Sequence, residues 1–195
     1  MEVNEAYAKN NLWQPTYNQY DNDYEKQLFM VINLVRYNPK EYGKQAVNEA
    51  AKHELAKKLK KDGLLSELKK MDKLPQVVFC DDANKAVREN NAAKIALAEN
   101  VPTKGGNIDE YGKIIGEDKV ACCEEYTMCQ YMGHSAFEFI GLQMLIEYNR
   151  EGENAKKTVV LDKDLCKVGI SNKSHPKTKN LIQLLYVKST TNVMC

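Results

Sequence analysis

The chain has 195 residues, of which 43% are hydrophobic and 28% are charged, and its formal net charge is +1. This length and composition predict a globular domain with one core and an extension, and they exclude a disordered chain. The near-neutral charge gives no general attraction to nucleic acid or to an anionic membrane. No apolar run approaches the roughly 20 residues that a membrane span needs.

The first 23 residues are polar and irregular, and Pro15 interrupts any helix there. They carry four aromatic side chains, namely Tyr7, Trp13, Tyr17 and Tyr20. Aromatic residues without a helical or strand period do not form an element, but they can anchor an arm against a surface. We therefore predict an N-terminal arm over residues 1–23, either packed on its own domain or docked on a partner protein.

Three helices are predicted from apolar residues at helical spacing. The first spans 24–37, where these residues recur at i, i+3, i+4 and i+7, and Arg36 is set among them. Asn38-Pro39 ends it, because the residue before a proline is disfavoured in the α region. The second and third helices span 81–99 and 136–148.

The stretch 44–72 is rich in Lys, Glu, Ala and Leu. It predicts two short surface helices with charged faces, broken at Asp62-Gly63. The cluster Lys57-Lys58-Lys60-Lys61 is typical of a solvated helical face. Its alternative interpretation is a contact with phosphate or with an acidic partner.

Two strands are predicted near the end of the chain. They are Lys167-Val168-Gly169-Ile170-Ser171 and Asn180-Leu181-Ile182-Gln183-Leu184-Leu185-Tyr186-Val187, separated by a polar turn. Helices and strands are mixed without regular βαβ alternation, which predicts an α+β or layered α–β–α domain. Residues 189–195 are predicted to be a C-terminal tail.

The end of the first helix, Ile32-Asn33-Leu34-Val35-Arg36-Tyr37-Asn38-Pro39-Lys40-Glu41-Tyr42, together with the two closing strands, resembles the SCP-like domain of the CAP superfamily. That superfamily comprises cysteine-rich secretory proteins, antigen 5 and plant pathogenesis-related proteins. The resemblance is nearest to its protist members without a signal peptide. It covers residues 24–188, with 44–72 as a charged insertion, and it implies an α–β–α sandwich.

The resemblance also implies four cavity positions. The family cavity is lined by two histidines and two glutamates, which bind a divalent metal in many members. Glu117, within Ile115-Gly116-Glu117-Asp118, and Glu147 match the glutamates, while Asn90 and Lys156 stand at the histidine positions. An amide is a poor metal ligand, and an ammonium group has no lone pair. We therefore expect no metal, no cofactor and no catalytic residue, with Lys156 filling the cavity and neutralising one or both glutamates.

Gly133-His134 is a rival match to the second family histidine, although it lies before the third helix rather than after it. His134 with Cys122, Cys123 and Cys129 is also a conceivable zinc cluster. The spacing departs from the two-plus-two pattern of structural zinc sites, and adjacent cysteines rarely chelate one ion.

These observations predict a non-catalytic SCP-like domain, a pseudoenzyme, that serves as a structural or interaction subunit of an intracellular protein assembly. The polar start of the chain has no apolar stretch of signal-peptide type, which indicates the cytoplasm and leaves most of the six cysteines as thiols. The composition, heavy in Asn, Lys and Tyr, resembles proteins of AT-rich protist genomes, so a cilium, an axoneme or the cytoskeleton is the natural setting.

Two alternative functions stay open. The first is a lipid- or sterol-binding CAP protein, with a small lipid as its ligand. The second is a residual metal-dependent hydrolase that uses Glu117, Glu147 and His134.

Overall fold

The computed structural model describes residues 2–13, 16, 19–96, 122–130, 135–152, 156–175 and 179–188, with the backbone alone at 90, 91, 93–96, 122–130, 175 and 179. The chain divides into two compact units. The described residues within 1–14, 27–76 and 134–163 form unit 1, and those within 15–26, 77–133 and 164–195 form unit 2. Residues 2–13 thus group with unit 1, as do 44–72, and the predicted tail at 189–195 lies outside the described residues.

The described residues form six α-helices, four strands and three short helical turns. The helices are α1 (Val3–Lys9), α2 (Asp23–Tyr37), α3 (Lys44–Ala50), α4 (Lys61–Leu68), α5 (Asp81–Ala96) and α6 (Ala136–Tyr148). The strands are β1 (Val78–Phe79), β2 (Cys122–Gln130), β3 (Leu165–His175) and β4 (Lys179–Lys188). A π-helical turn covers Pro39–Gly43, and 3-10 turns cover Glu54–Ala56 and Val159–Leu161.

Helix α2 is the predicted first helix, and it is more deeply buried than a one-faced helix would be. Every residue from Leu28 to Arg36 is buried. Its acidic first turn suits the positive end of the helix dipole. Beyond its end, the Asn38 side chain accepts a hydrogen bond from the Glu41 N–H at 3.2 Å, and Pro39 opens the next turn. The Asn-Pro pair thus ends one helix and starts the following turn.

Helix α6 is the centre of unit 1. Ser135 caps it by accepting a hydrogen bond from the Glu138 N–H at 3.0 Å. A helix that is apolar all round is a buried helix, and α6 is buried at nearly every position. It packs against α3 so closely that a Cβ added at Gly141 would lie 2.0 Å from the Ala46 carbonyl oxygen. Glycine at this position is what permits the two helix backbones to meet.

Unit 2 contains a four-stranded sheet in the order β1-β3-β4-β2. β4 lies antiparallel to both β2 and β3, and β1 pairs with β3 in parallel. Residues 181–187 of β4 are all buried, so both of its faces are covered. Helix α5 packs on β3 and β4, with a core formed by Ala83, Ala86, Val87, Leu185 and Val187.

The structure confirms the predicted mixed α+β class, the three helices and the two closing strands. It adds α1, β1 and β2, which the sequence did not predict. The predicted helix break at Asp62-Gly63 is wrong, because both residues lie in the first turn of α4. Among the described residues, no helix combines the length and the apolar character that crossing a bilayer requires.

Candidate functional site

The four implied cavity positions have different surroundings. Glu117 lies outside the described residues, and Asn90 lies on α5 in a part where only the backbone is described. Glu147 lies on α6 and is 2% exposed. Lys156 lies in the turn region after α6 and is exposed.

Glu147 is a structural carboxylate. Its Oε1 accepts a hydrogen bond from Gln143 Nε2 at 2.9 Å, one helical turn earlier on α6. Its Oε2 accepts a hydrogen bond from the backbone N–H of Val159, also at 2.9 Å. Because Val159 begins the 3-10 turn Val159–Leu161, Glu147 fastens that turn to α6. Glu147 thus faces inward, and these hydrogen-bond partners are groups of the protein itself.

The prediction that Lys156 fills a cavity and neutralises Glu147 is wrong. Lys156 is exposed and has a left-handed backbone conformation, with φ of 59°. Its N–H donates to the Tyr148 carbonyl oxygen at 3.3 Å, which fixes the turn and leaves the side chain at the surface. Within the described part of the chain it makes no ion pair with Glu147.

The aromatic residues of the predicted arm are mostly packed within the chain. Tyr7 on α1 is fully buried, and Tyr20 is 8% exposed with its ring edge-on to Phe79 at 5.3 Å between centroids. Trp13 touches Phe29 at 6.1 Å between centroids but stays 51% exposed. Tyr17 lies outside the described residues. Tyr7 and Tyr20 therefore belong to the core and offer no docking surface, whereas half of the Trp13 side chain remains exposed.

Arg36 is a fully buried cation that binds backbone carbonyl groups of unit 1. Its Nε donates to the Pro75 oxygen at 2.7 Å, and its Nη1 donates to the oxygens of Val160 and Asp162 at 2.8 and 2.7 Å. The rigid fork of donors in a guanidinium group suits several fixed acceptors at once. Arg36 thus ties α2 to two separate segments of unit 1.

Two polar side chains cover the edge of β3 beyond the end of β1. Asn84 Oδ1 accepts a hydrogen bond from the Ile170 N–H at 2.7 Å, and Glu25 Oε1 accepts one from the Asn172 N–H at 2.7 Å. These two N–H groups are two residues apart along the strand, so they point to the same edge. The side chains replace a neighbouring strand there, which protects an otherwise open edge.

Glu25 is held by several groups of unit 2. Its Oε2 accepts a hydrogen bond from the Asp21 N–H at 3.0 Å, and Arg88 Nη2 lies 3.4 Å from the same oxygen. Burial nevertheless raises the pKa of Glu25, and the charge of Asp21 adds to this; the two backbone N–H groups and Arg88 oppose the rise. Sequence reasoning missed Glu25 and Asn84. The signal that the sequence offered for each of them was a polar residue next to helical positions occupied by apolar residues.

An open groove of about 590 Å³, the basic groove, lies between α3 and the start of α4. Its lining is apolar at Ala51, Ala56 and Leu59 and cationic at Lys57, Lys60 and Lys61, and it is completed by Asp62 and Gly63. These are three of the four lysines of the cluster in the charged stretch. Both interpretations of that cluster, a solvated face and an acidic contact, are compatible with its exposed position.

The metal chemistry of the CAP cavity has no counterpart in the described part of the chain. No group of three or more His, Cys, Asp or Glu residues there could hold a metal ion. His134 lies outside this part, and the side chains of Cys122, Cys123 and Cys129 on β2 are not described.

Comparisons with protein-family models, with curated proteins and with solved structures gave no match.

Proposed function

We propose that this chain is a non-catalytic interaction domain, a structural subunit of a larger intracellular assembly. The proposal rests on one observation: buried charged side chains in both units are bonded to backbone groups of the chain itself. Glu147 and Glu25 each accept from backbone N–H groups, and Arg36 donates to three carbonyl oxygens. Such bonds take up the lone pairs and protons that a catalytic group would offer to a substrate.

The surface of unit 1 supplies features suited to a protein partner. Trp13 is 51% exposed and Leu55 is 62% exposed, and tryptophan is enriched among the residues that dominate binding energies. The basic groove adds a charged patch. Because lysines line it, a charged ligand suits this groove better than a sterol does. This favours protein binding over the alternative lipid-binding function.

The proposal includes the fold family and the fold. Burial on both faces of β4, and the packing of α5 on the sheet, support an α–β–α sandwich of the CAP type. Asn90 and Lys156, at the positions where the resemblance implies histidines, support a pseudoenzyme.

The proposal also includes a cytoplasmic location, with a cilium, an axoneme or the cytoskeleton as the specific setting. Cys80 and Cys166 are free thiols, which supports a reducing compartment. A fluorescent fusion expressed in the native cell tests this part. Signal restricted to secretory vesicles or to the medium would contradict it.

The proposed function is tested by the native size of the protein in a gentle lysate, followed by crosslinking and mass spectrometry. We expect migration in a large particle, with crosslinks that start at exposed lysines of unit 1. Purified recombinant protein added to the lysate should compete with the native protein for its place in the particle. Migration of the native protein as a lone species of 22.2 kDa would overturn the proposal.

A further inference from the structure

The basic groove lies in a stretch of the chain with a local excess of positive charge. Residues 52–62 contain five lysines against two carboxylates, Glu54 and Asp62, in a chain whose net charge is +1. Lys57 Nζ lies 2.7 Å from Glu54 Oε2 in a well-exposed pair of little energetic weight. Lys60 and Lys61 make no ion pair with another described residue. The charge of these two lysines is therefore available to a ligand.

The wall of the groove is anchored. Asn149, at the end of α6, accepts a hydrogen bond from the Lys60 N–H at 2.9 Å and donates one to the Lys60 carbonyl at 3.2 Å. The neighbouring Tyr148 hydroxyl donates to Glu67 Oε1 at 2.9 Å, which holds α4 to the same helix. A site whose backbone is already fixed loses less conformational entropy when a ligand binds.

The groove is amphipathic as well as cationic. Leu59 and two alanines line it, and Leu55, immediately before the lining residue Ala56, is 62% exposed. A ligand that presents carboxylates alone would leave these apolar groups in water. A ligand with both acidic and apolar side chains would use both kinds of surface.

We propose that the basic groove binds an extended acidic segment of a partner protein. Its carboxylates would contact Lys60 and Lys61, and an apolar side chain would pack on Leu55 and Leu59. This inference rests on the proposed interaction function and names the chemistry of the partner. Nucleic acid fits less well, because its phosphates would find no extended basic face and would leave the apolar Leu55 and Leu59 in water.

The test uses the full chain and a short fluorescein-labelled peptide of repeated Glu-Glu-Leu, with binding followed by fluorescence anisotropy. We expect saturable binding that weakens as salt is raised. The double variant Lys60→Glu/Lys61→Glu should weaken it about tenfold, which is about 1.4 kcal/mol. Leu55→Ser should also weaken it.

The matched control is Lys69→Glu/Lys70→Glu, which makes the same charge change at exposed lysines just beyond the other end of α4. Acidic residues suit the start of a helix and disfavour its end, so the groove variant is not the less stable of the two. Equal weakening by both variants, or no binding of the peptide, would overturn the proposal. Tighter binding of duplex DNA or of phosphatidylserine vesicles, with the same dependence on Lys60 and Lys61, would replace it with a polyanion or a membrane ligand.

Failure of the acidic-partner proposal can be distinguished from failure of the proposed assembly function. A large native particle whose crosslinks avoid the basic groove would reject the acidic partner and keep the assembly. A lone native species would reject the assembly, whatever the peptide does.

Discussion

Asn84 on α5 supplies Ile170 on β3 with the hydrogen-bond acceptor that a neighbouring strand would otherwise provide. Its Oδ1 accepts a hydrogen bond from the Ile170 N–H at 2.7 Å in a buried position. Its Nδ2 donates at the same time to the Gln19 carbonyl at 3.2 Å. One amide thus satisfies a sheet edge and a loop, and both bonds lie within unit 2. The two-residue strand β1 is too short to cover this edge by itself.

Asn84→Ala should lower the free energy of unfolding by about 1–3 kcal/mol, because it leaves the buried Ile170 N–H without its acceptor. Urea denaturation followed by circular dichroism measures the loss. The control is Lys85→Ala, which truncates the adjacent, exposed side chain on the same helix. Equal effects of the two substitutions would show that the Asn84 amide is dispensable.

Gly169→Ala should separate α5 from β3. A Cβ at this position would lie 2.4 Å from the Ala83 carbonyl oxygen, a backbone atom that cannot rotate away. We expect a loss of roughly 3 kcal/mol, the upper part of the range for overpacking. Thermal unfolding and amide hydrogen exchange in α5 are the measurements.

Gly152→Ala is the comparison for that substitution. Gly152 has φ of 82°, with no described atom within 4 Å of an added Cβ, so only backbone strain of about 1–2 kcal/mol is expected. If the two alanine variants lost the same stability, the close approach at Gly169 would not be what limits that position.

Arg36→Met should destabilise unit 1 by about 3 kcal/mol, because it removes charge-assisted hydrogen bonds to buried carbonyl groups. Arg36→Lys should recover only part of this loss, since an ammonium group cannot reproduce the planar fork. Arg150→Met, at an exposed position, is the matched control and should be nearly neutral. Chemical denaturation of the three variants compares them. Full recovery with lysine would mean that charge alone, without geometry, is what matters.

Ionisation of Glu25 should lower the free energy of unfolding of unit 2 as pH rises. Burial places its folded pKa above the ordinary value of 4.5, so between the two values the folded state binds more protons than the unfolded state. The contribution of this group to stability therefore falls as pH rises through the folded pKa, and it is constant on either side of that window.

The measurement is the difference in unfolding free energy between the wild-type protein and Glu25→Gln, which cannot ionise. As pH rises through the window, the unfolding free energy of the wild-type protein should fall relative to that of Glu25→Gln. NMR titration of the Glu25 carboxyl reads the pKa directly. A value at or below 4.5 would mean that the Asn172 and Asp21 N–H groups, with Arg88, outweigh burial.

Lys156→Gly should stabilise the protein. The left-handed conformation, with φ of 59°, costs a side-chain-bearing residue about 1–2 kcal/mol, and glycine avoids this cost at the expense of a more flexible unfolded chain. We expect a net gain below about 1 kcal/mol, measured as a small rise in Tm. Lys157→Gly, at the adjacent exposed residue, should not stabilise. A loss of stability with Lys156→Gly would indicate that the lysine side chain contributes after all.

The sequence predicted the elements whose residues repeat strongly. The helices at 24–37, 81–99 and 136–148 correspond to α2, α5 and α6, with a described end at Ala96 for α5. α1 was missed because seven residues hold too few turns for a visible period. β2 was missed because Cys122–Gln130 mixes polar and apolar residues without alternation.

The candidate site was less predictable than the fold. Arg36 was noticeable because a charge among apolar positions is costly unless it is paired. Glu147 was identified through the family resemblance, and no local pattern indicated its bond to the Val159 N–H. Lys156 was placed by counting along the chain, and counting carries no information about a turn that directs the residue to the surface. The partners of Glu25 and Asn84 lie far away in sequence, so no local pattern could indicate them.

The discontinuous make-up of the two units has a consequence for biosynthesis. Unit 1 needs α6 to cover α3, and unit 2 needs β3 and β4 to build its sheet, although α2 and α5 are synthesised much earlier. Neither unit can close while only the first half of the chain has left the ribosome. Contacts between distant segments slow folding, so the emerging polypeptide must keep buried helices such as α2 exposed until α6, β3 and β4 have been synthesised. The nascent chain is therefore the state most in need of a chaperone.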